Sequence, residues 1–215
     1  MKLYSYFRSS AAFRVRIVLN IKNIPYQILP IHLLREGGQQ KLPEYHQVNP
    51  QQLVPALELE HGTILTQSLA IIEYLDEVCP TPPVLPKNPL ERAYTRAIAS
   101  QIACDIHPLN NLRVLKYLEE NILQTKETIN KWYHHWIERG LRPLEEIIRK
   151  SPYKGRYCCG DHITMADVFL VPQLFNARRF NCVLDDYPIL LAIEQECLKS
   201  PHVIRALPQN QPDAE

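Results

Sequence analysis

The chain has 215 residues, of which 46% are hydrophobic and 22% are charged, and its formal net charge is +1. This composition can bury the core of one large domain or two small ones, and the near-neutral charge gives no reason to expect nucleic acid or an anionic membrane as a partner. No apolar run approaches the roughly 20 residues that span a bilayer, and no secretory signal is visible, so we expect a cytoplasmic protein.

The cysteines and histidines show no pattern typical of disulfides or metal sites. None of the six cysteines belongs to a C-x-x-C motif, and the adjacency of Cys158 and Cys159 suits neither a disulfide framework nor a zinc site. His134 and His135 are also neighbours, but successive residues of a helix point about 100° apart. We therefore predict reduced thiols and no bound metal.

The first 80 residues are typical of a βαβ unit followed by a ββα unit. Alternation of apolar and polar residues favours strands, and apolar residues at helical spacing favour helices. The first two strands should be parallel, because a helix connects them. The predicted elements are strands over 2–7, 26–31, 56–60 and 63–66, a helix over 13–24, a short helix or turn over 43–49, and a helix that begins at 67–68.

A proline-rich stretch divides the chain. Five of the residues 80–89 are proline, and such a stretch can continue neither a helix nor a sheet. We predict an α/β domain over 1–81, a linker over 82–89 and an all-helical domain over 90–215. The expected helices are 90–121 with a bend at Pro108, 127–150 with an interruption near 140–143, 164–180 and 188–198, and the polar end 208–215 is expected to fray.

Two predicted helices begin with polar residues that could bind an anion. Arg8-Ser9-Ser10 precedes the first helix, and Gln67-Ser68 opens the last helix of the α/β domain. The first N–H groups of a helix have no intrahelical acceptor, and the helix dipole makes that end positive. A ligand carboxylate, or a thiol that must ionise, would be stabilised there. Ordinary serine caps remain the alternative at both places.

Three further motifs allow more than one interpretation. Val54-Pro55 precedes a strand, and its peptide bond could be cis or an ordinary trans bond. Thr164-Met-Ala-Asp167 is a capping box, which we interpret as structural. In the pair Arg178-Arg179, either arginine could be solvated near the end of its helix or could hold a carboxylate through two parallel hydrogen bonds.

Taken together, these motifs resemble the glutathione transferase superfamily, in which a thioredoxin-like domain precedes an all-helical domain. The pattern Arg-Ser-Ser-x-x-x-Arg-Val-Arg-Ile at residues 8–17 is narrower and is similar to the zeta class, the maleylacetoacetate isomerase family. The resemblance runs from residue 1 to nearly the end. Agreement extends to residues 37–40, 49–50, 67–75, 105–111, 164–167, 170–173 and 176–180.

The resemblance implies a four-stranded mixed sheet, a cis Val54-Pro55 bond, a homodimer and glutathione as the cofactor. It implies that Ser9 faces the thiol of glutathione and that Ser10 lies beside it, both in catalytic positions. The other implied glutathione contacts are Gln40, the Val54 backbone, Gln67, Ser68, His107 and Asn111, the last two from the helical domain. The implied substrate-binding residues are Arg8, Arg179 and, as a weaker candidate, Arg113.

The implied reaction is glutathione-dependent cis–trans isomerisation of maleylacetoacetate to fumarylacetoacetate in tyrosine and phenylalanine catabolism. The alternatives are isomerisation of maleylpyruvate, conjugation of small electrophiles by a glutathione transferase, and a non-enzymatic interaction module on the same fold. The chain departs from many zeta-class members at Ala11, where they have cysteine. Isomerisation should survive this change, because glutathione supplies the sulfur, but any activity that needs a protein thiol is in doubt.

Overall fold

The computed structural model describes residues 1–215, which form two compact units. The first unit comprises Met1–Val84 together with Leu198–Glu215, and the second comprises Leu85–Cys197. The boundary after Val84 falls inside the predicted linker. None of the helices combines the length and the hydropathy that a bilayer-spanning segment requires.

The first unit contains the predicted βαβ and ββα halves. Its four strands lie in the order β2-β1-β3-β4, with β1 and β2 parallel and the other two pairs antiparallel. This is the mixed sheet of a thioredoxin-like domain, as the resemblance implied. The elements are β1 (Lys2–Ser5), α1 (Ser10–Ile21), β2 (Gln27–Pro30), α2 (Pro43–Val48), β3 (Ala56–Glu58), β4 (Ile64–Thr66), α3 (Ser68–Val78) and, near the C-terminus, α9 (Pro201–Ala206).

The C-terminal segment differs from its prediction, because residues 198–215 pack with the α/β unit and not with the helical unit. Helix α9 lies against α1, where the Asn20 amide donates to the His202 carbonyl at 3.0 Å. The expectation that 208–215 frays is wrong, since Gln211 is buried and the Asp213 carboxylate accepts a hydrogen bond from the Phe7 N–H at 2.9 Å. Contacts with residues 182 and 206 positions away therefore order a segment whose local composition is polar.

The second unit is helical, as predicted, but two of its details differ from expectation. Helix α6 continues through Pro143 without interruption. Gly140 in that helix allows a close approach, because an added Cβ would lie 2.4 Å from Ile106 Cγ1. The bend expected at Pro108 is a π-helical stretch over Gln101–Ile106 followed by a 3₁₀ turn over His107–Asn110. The helices are α4 (Pro89–Ser100), α5 (Leu112–Glu120), α6 (Lys126–Lys150), α7 (Met165–Arg179) and α8 (Pro188–Cys197).

The capping box at the start of α7 has the predicted structural role. Asp167 is fully buried, and its carboxylate accepts hydrogen bonds from the Thr164 N–H at 2.8 Å and the Thr164 hydroxyl at 2.7 Å. It also accepts from the Cys158 N–H at 2.8 Å, which the capping pattern alone does not predict. The box therefore fixes a preceding loop as well as the helix.

Replacing Asp167 with asparagine is expected to lower the free energy of unfolding by about 2 kcal/mol. The Asp167 carboxylate accepts hydrogen bonds on both of its oxygens, whereas asparagine has one oxygen and would turn its NH₂ group toward a backbone N–H. Denaturant unfolding measures this loss. Asp185→Asn, at an exposed position of the same unit, serves as the matched control and should leave stability unchanged. Equal stability of the two variants would contradict the structural role of Asp167.

Candidate active site

The first helix start places Ser9 as the N-cap of α1. Its hydroxyl oxygen accepts a hydrogen bond from the Ala12 N–H at 3.2 Å, which leaves the hydroxyl proton available for another acceptor. Ser10 is buried, and the N–H of Ala11 lies in the first turn, where a helix offers no backbone acceptor. The site can therefore present a hydroxyl proton and a helix N-terminus to one anionic atom.

Arg8 lies immediately before these serines and is exposed. Its guanidinium carbon lies 4.8 Å from the centre of the Phe7 ring, so the planar group rests against an aromatic face. Such stacking restricts the side chain while leaving its N–H groups available for a carboxylate.

The second helix start combines Gln67 and Ser68 with Gln51 and Arg14, which the sequence motifs do not identify as site residues. Gln67 has φ +68°, a strained value for a residue with a side chain, and strain of this kind concentrates at functional sites. Its amide donates to Gln51 Oε1 at 2.8 Å. The Ser68 hydroxyl accepts from Arg14 Nη1 at 3.2 Å and keeps its own proton for a ligand. The buried guanidinium of Arg14 adds positive charge at this helix start.

Arg14 also joins the two helix starts. It lies one helical turn after Ser10 on α1 and donates to Ser68 at the start of α3, so it connects the first turns of the two helices. Nothing in the periodicity of α1 distinguishes Arg14 from a solvated arginine. Arg14 could have been identified as buried from its apolar neighbours in the sequence, because a charged residue in a largely apolar helix is buried only with a partner.

Gln40 offers an acceptor without a partner within the protein. Its Oε1 atom is buried and accepts no hydrogen bond, and its amide group lies against Gly38, which adopts φ +110°. A Cβ at position 38 would lie 2.7 Å from Gln40 Nε2, so glycine permits this close approach. A buried acceptor of this kind suits an N–H group of a bound ligand.

The Val54-Pro55 peptide bond is cis, which resolves the alternative left open by the sequence. Val54 precedes β3 and packs in a buried cluster with Tyr6, Phe7 and Tyr45. Tyr6 and Phe7 belong to the loop that carries Ser9. Val54, whose backbone is an implied glutathione contact, therefore shares a buried cluster with the loop that carries Ser9.

In the helical unit, His107 and Asn111 lie at the turn before α5. The Asn111 side chain caps that helix by accepting from the Arg113 N–H at 3.1 Å, and it lies 3.5 Å from His107 Nε2. Arg113 has an exposed side chain. The Trp132 indole of α6 donates to the Leu109 carbonyl at 2.9 Å and so supports the same turn.

The structure separates the two neighbouring arginines at the end of α7. Arg178 donates to the buried Glu194 carboxylate through both of its terminal nitrogens and is therefore a structural residue. Arg179 is exposed, and its guanidinium carbon lies 5.0 Å from the centre of the Phe180 ring. That ring stacks on Tyr133 at 3.9 Å. Arg179 is thus the arginine of this pair that takes no part in the ion pair with Glu194.

The protein's own buried thiols are poorly suited to act as nucleophiles. Burial raises the pKa values of Cys158, Cys159 and Cys197, and it raises the pKa of Cys182 to about 11. A thiol with a raised pKa carries little thiolate near neutral pH. Beside Ser9 and Ser10 the chain has Ala11, so no cysteine stands at the helix start.

The fold and the two polar helix starts define a thioredoxin-like domain joined to a helical domain. Two family models match, glutathione S-transferase N-terminal domain over residues 8–78 and glutathione S-transferase C-terminal domain over residues 137–192. The chain belongs to the glutathione S-transferase family.

Within this family the chain is similar to isomerases. A probable maleylacetoacetate isomerase from Vibrio cholerae is 48% identical over 212 residues, which cover 99% of this chain and 97% of that protein. The holo structure of a maleylpyruvate isomerase, a bacterial glutathione S-transferase of the zeta class, has a TM-score of 0.96 and 42% identity, with both chains fully covered. A maleylacetoacetate isomerase from Methylobacterium extorquens AM1, with malonate and GSH bound, has a TM-score of 0.96 and 39% identity, again with both chains fully covered.

Proposed function

We propose that this protein is a glutathione-dependent cis–trans isomerase that converts maleylacetoacetate to fumarylacetoacetate in tyrosine and phenylalanine catabolism. The observation that carries the proposal is the pair of helix starts in the first unit, Ser9-Ser10 and Gln67-Ser68, joined by the buried Arg14. The similarity to maleylacetoacetate isomerases over almost the whole chain supports the same reaction.

The residues of the first unit fit glutathione. Gln67 and Ser68, at the start of α3, suit the γ-glutamyl carboxylate, because free N–H groups and the Arg14 charge favour an anion there. The unpartnered Gln40 oxygen suits a peptide N–H, and the Val54 backbone ahead of β3 suits the same peptide portion. Ser9 and Ser10 suit the thiol. His107 and Asn111 are proposed as the contacts contributed by the helical unit.

Bound glutathione would supply a thiolate that adds reversibly to a conjugated C=C bond, so that the bond can rotate as a single bond. The chain's own residues make that chemistry possible. The Ser9 hydroxyl would donate a hydrogen bond to the sulfur, and the N-terminus of α1 would favour the negative charge of the thiolate. Arg8 and Arg179, with Arg113 as a third candidate, bind the substrate carboxylates. The reaction also requires fixed hydrogen-bond donors for the negative charge that develops on the substrate carbonyl oxygen.

Maleylpyruvate is the second candidate substrate, because the chain is as similar in fold to a maleylpyruvate isomerase as to a maleylacetoacetate isomerase. The two substrates share the reactive alkene and differ beyond the carbonyl. Conjugation of small electrophiles would use the same thiolate, but it would not need arginines for two carboxylates.

The experiment incubates the purified protein with glutathione and each maleyl substrate, and follows both the trans product and the free thiol. Isomerisation regenerates glutathione, so we expect product to accumulate while free thiol stays constant. S-methylglutathione, which lacks the thiol, is the matched control and should give no product. A halo-aromatic substrate tests conjugation, which consumes thiol in step with product; activity on that substrate alone would overturn the proposal.

We further propose that the protein acts in the cytoplasm as a homodimer. The homodimer is what the family resemblance implies, and the six free cysteines agree with the reducing cytoplasm. Light scattering coupled to size-exclusion chromatography tests the dimer. A mass near the 25.0 kDa of one chain would contradict it.

A further inference from the structure

The loop between β1 and α1, residues 6–9, holds Ser9 in place through its backbone. It follows the last paired residue of β1 and ends at the N-cap of α1. The Ser9 N–H donates to the Tyr6 carbonyl at 2.9 Å, which makes the loop a tight turn. The direction of the Ser9 hydroxyl therefore depends on how the peptide groups of Tyr6 and Phe7 are held.

Arg16 holds this loop from within the core. Its side chain is fully buried, and its Nη2 atom donates to the Phe7 carbonyl at 3.0 Å. The Nη1 atom donates to the Ser5 hydroxyl at 3.1 Å and reaches the Tyr6 carbonyl at 3.5 Å. The Nε atom donates to the Ala206 carbonyl of α9 at 3.1 Å. One buried guanidinium thus binds both the β1–α1 loop and the C-terminal segment.

Asp213 holds the same loop through the N–H of Phe7, whereas Arg16 holds it through the Phe7 carbonyl. Its Oδ2 atom accepts from the Phe7 N–H at 2.9 Å, so the N–H and the carbonyl of Phe7 both have charged partners. Burial lowers the pKa of Arg16 to about 10, and the negative charge of Asp213 opposes that shift. The two side chains therefore act on each other as well as on the loop.

The segment around Asp213 is anchored independently of this contact. The Gln211 amide donates to the Arg205 carbonyl at 2.9 Å and to the Leu207 carbonyl at 2.8 Å. At the end of the chain, Glu215 pairs with Arg35 and lies 3.4 Å from His32 Nε2. The Asp213 carboxylate is consequently presented to Phe7 by a segment with its own fixed conformation.

We propose that Asp213 is a positioning residue that, together with Arg16, orients the β1–α1 loop so that Ser9 faces the reacting thiol. The inference rests on the proposed function, because it assigns Ser9 that role. Loss of the Asp213 carboxylate would free the Phe7 N–H and let the loop move, and displacements of about 1 Å at a reacting group can cost on the order of 10²-fold in rate.

The test compares Asp213→Ala with Glu60→Gln, which removes a negative charge at an exposed position of the same unit but no contact to the loop or to the C-terminal segment. Amide hydrogen exchange at Phe7 reports the loop directly, and ultraviolet absorbance of the thiolate against pH reports the pKa of bound glutathione. Steady-state kinetics separates kcat from KM for glutathione. All three are measured on the full-length protein.

We expect Asp213→Ala to expose the Phe7 amide to exchange, to raise the pKa of the bound thiol and to lower kcat about tenfold, with KM for glutathione changed less than about twofold. Glu60→Gln should match the unaltered protein in all three. Asp213→Asn keeps an acceptor oxygen for the Phe7 N–H and should recover most of the lost kcat.

The inference is overturned if the bound thiol titrates identically in Asp213→Ala and the unaltered protein, or if Asp213→Asn is as impaired as Asp213→Ala. If Asp213→Ala does not fold, exchange in the unaltered protein still decides, because a Phe7 amide that exchanges as fast as an exposed amide contradicts the contact. Failure of the proposed function gives a different result, since the unaltered protein would then lack isomerisation while exchange at Phe7 still reports the loop.

Discussion

Replacing Ser9 with alanine is expected to lower kcat for cis–trans isomerisation by about 10²- to 10³-fold, the loss typical of removing one fixed donor from a developing or stabilised anion. The hydroxyl already accepts from the Ala12 N–H, so its proton is the group that remains for the sulfur. Without it, the N-terminus of α1 alone must stabilise the thiolate, and the pKa of bound glutathione should rise. Stopped-flow or steady-state kinetics at several pH values measures both effects.

The same substitution also removes a helix cap, and the chain contains a matched control for that loss. Thr125 caps α6 with the same geometry, since its hydroxyl accepts from the Thr128 N–H at 3.2 Å. Ser9→Ala and Thr125→Ala should each lower the free energy of unfolding by about 1 kcal/mol. Only Ser9→Ala should lower kcat. Unchanged turnover in Ser9→Ala, or equal losses in both variants, would refute the assignment of Ser9.

Replacing Arg179 with alanine is expected to lower kcat/KM for the maleyl substrate by roughly 10- to 100-fold, because a charge-assisted hydrogen bond to a carboxylate is lost. Stability and glutathione binding should stay the same, since Arg179 is exposed and rests on the Phe180 ring. Arg179→Lys keeps the charge but loses the planar guanidinium group, so its kcat/KM should lie between those of Arg179→Ala and the unaltered protein. Initial rates over a range of substrate concentrations, with glutathione saturating, measure the change.

Arg178 is the internal control for this prediction. Arg178→Ala leaves the buried Glu194 carboxylate without its partner and should cost about 2 kcal/mol of stability, less than for a fully buried pair because Arg178 is 44% exposed. Under conditions in which Arg178→Ala remains folded, its kcat/KM should be close to that of the unaltered protein. A loss of substrate affinity in Arg178→Ala but not in Arg179→Ala would reverse the assignment.

The elements of the first unit could be predicted because their signals are local. Alternation over β1 and helical spacing over α1 identify each element within a dozen residues, and a helix between two strands makes them parallel. Polar residues at a helix start are likewise visible in the sequence. The proposed roles of Ser9, Gln67 and Ser68 come from that signal combined with the family resemblance.

The contacts that support these residues could not be predicted, because they join distant parts of the chain. Phe7 and Asp213 are 206 positions apart, and Arg16 reaches Ala206 across 190 positions. A polar C-terminal segment looks frayed when only its own composition is considered. Gly140 and Pro143 predict an interruption of α6 when only local helix propensity is considered. In the structure, Gly140 leaves room for the Ile106 side chain, and the helix continues.

The two buried arginines of α1 make both parts of the proposed glutathione site depend on one helix. Arg14 and Arg16 are two positions apart, so their side chains leave the helix about 200° apart, on opposite faces. Arg14 supports Ser68 on one face, and Arg16 supports the β1–α1 loop on the other. A rotation of α1 would therefore move both guanidinium groups at once. Substitutions in the two subsites are therefore expected to be non-additive, and the helix constrains how far either can change alone.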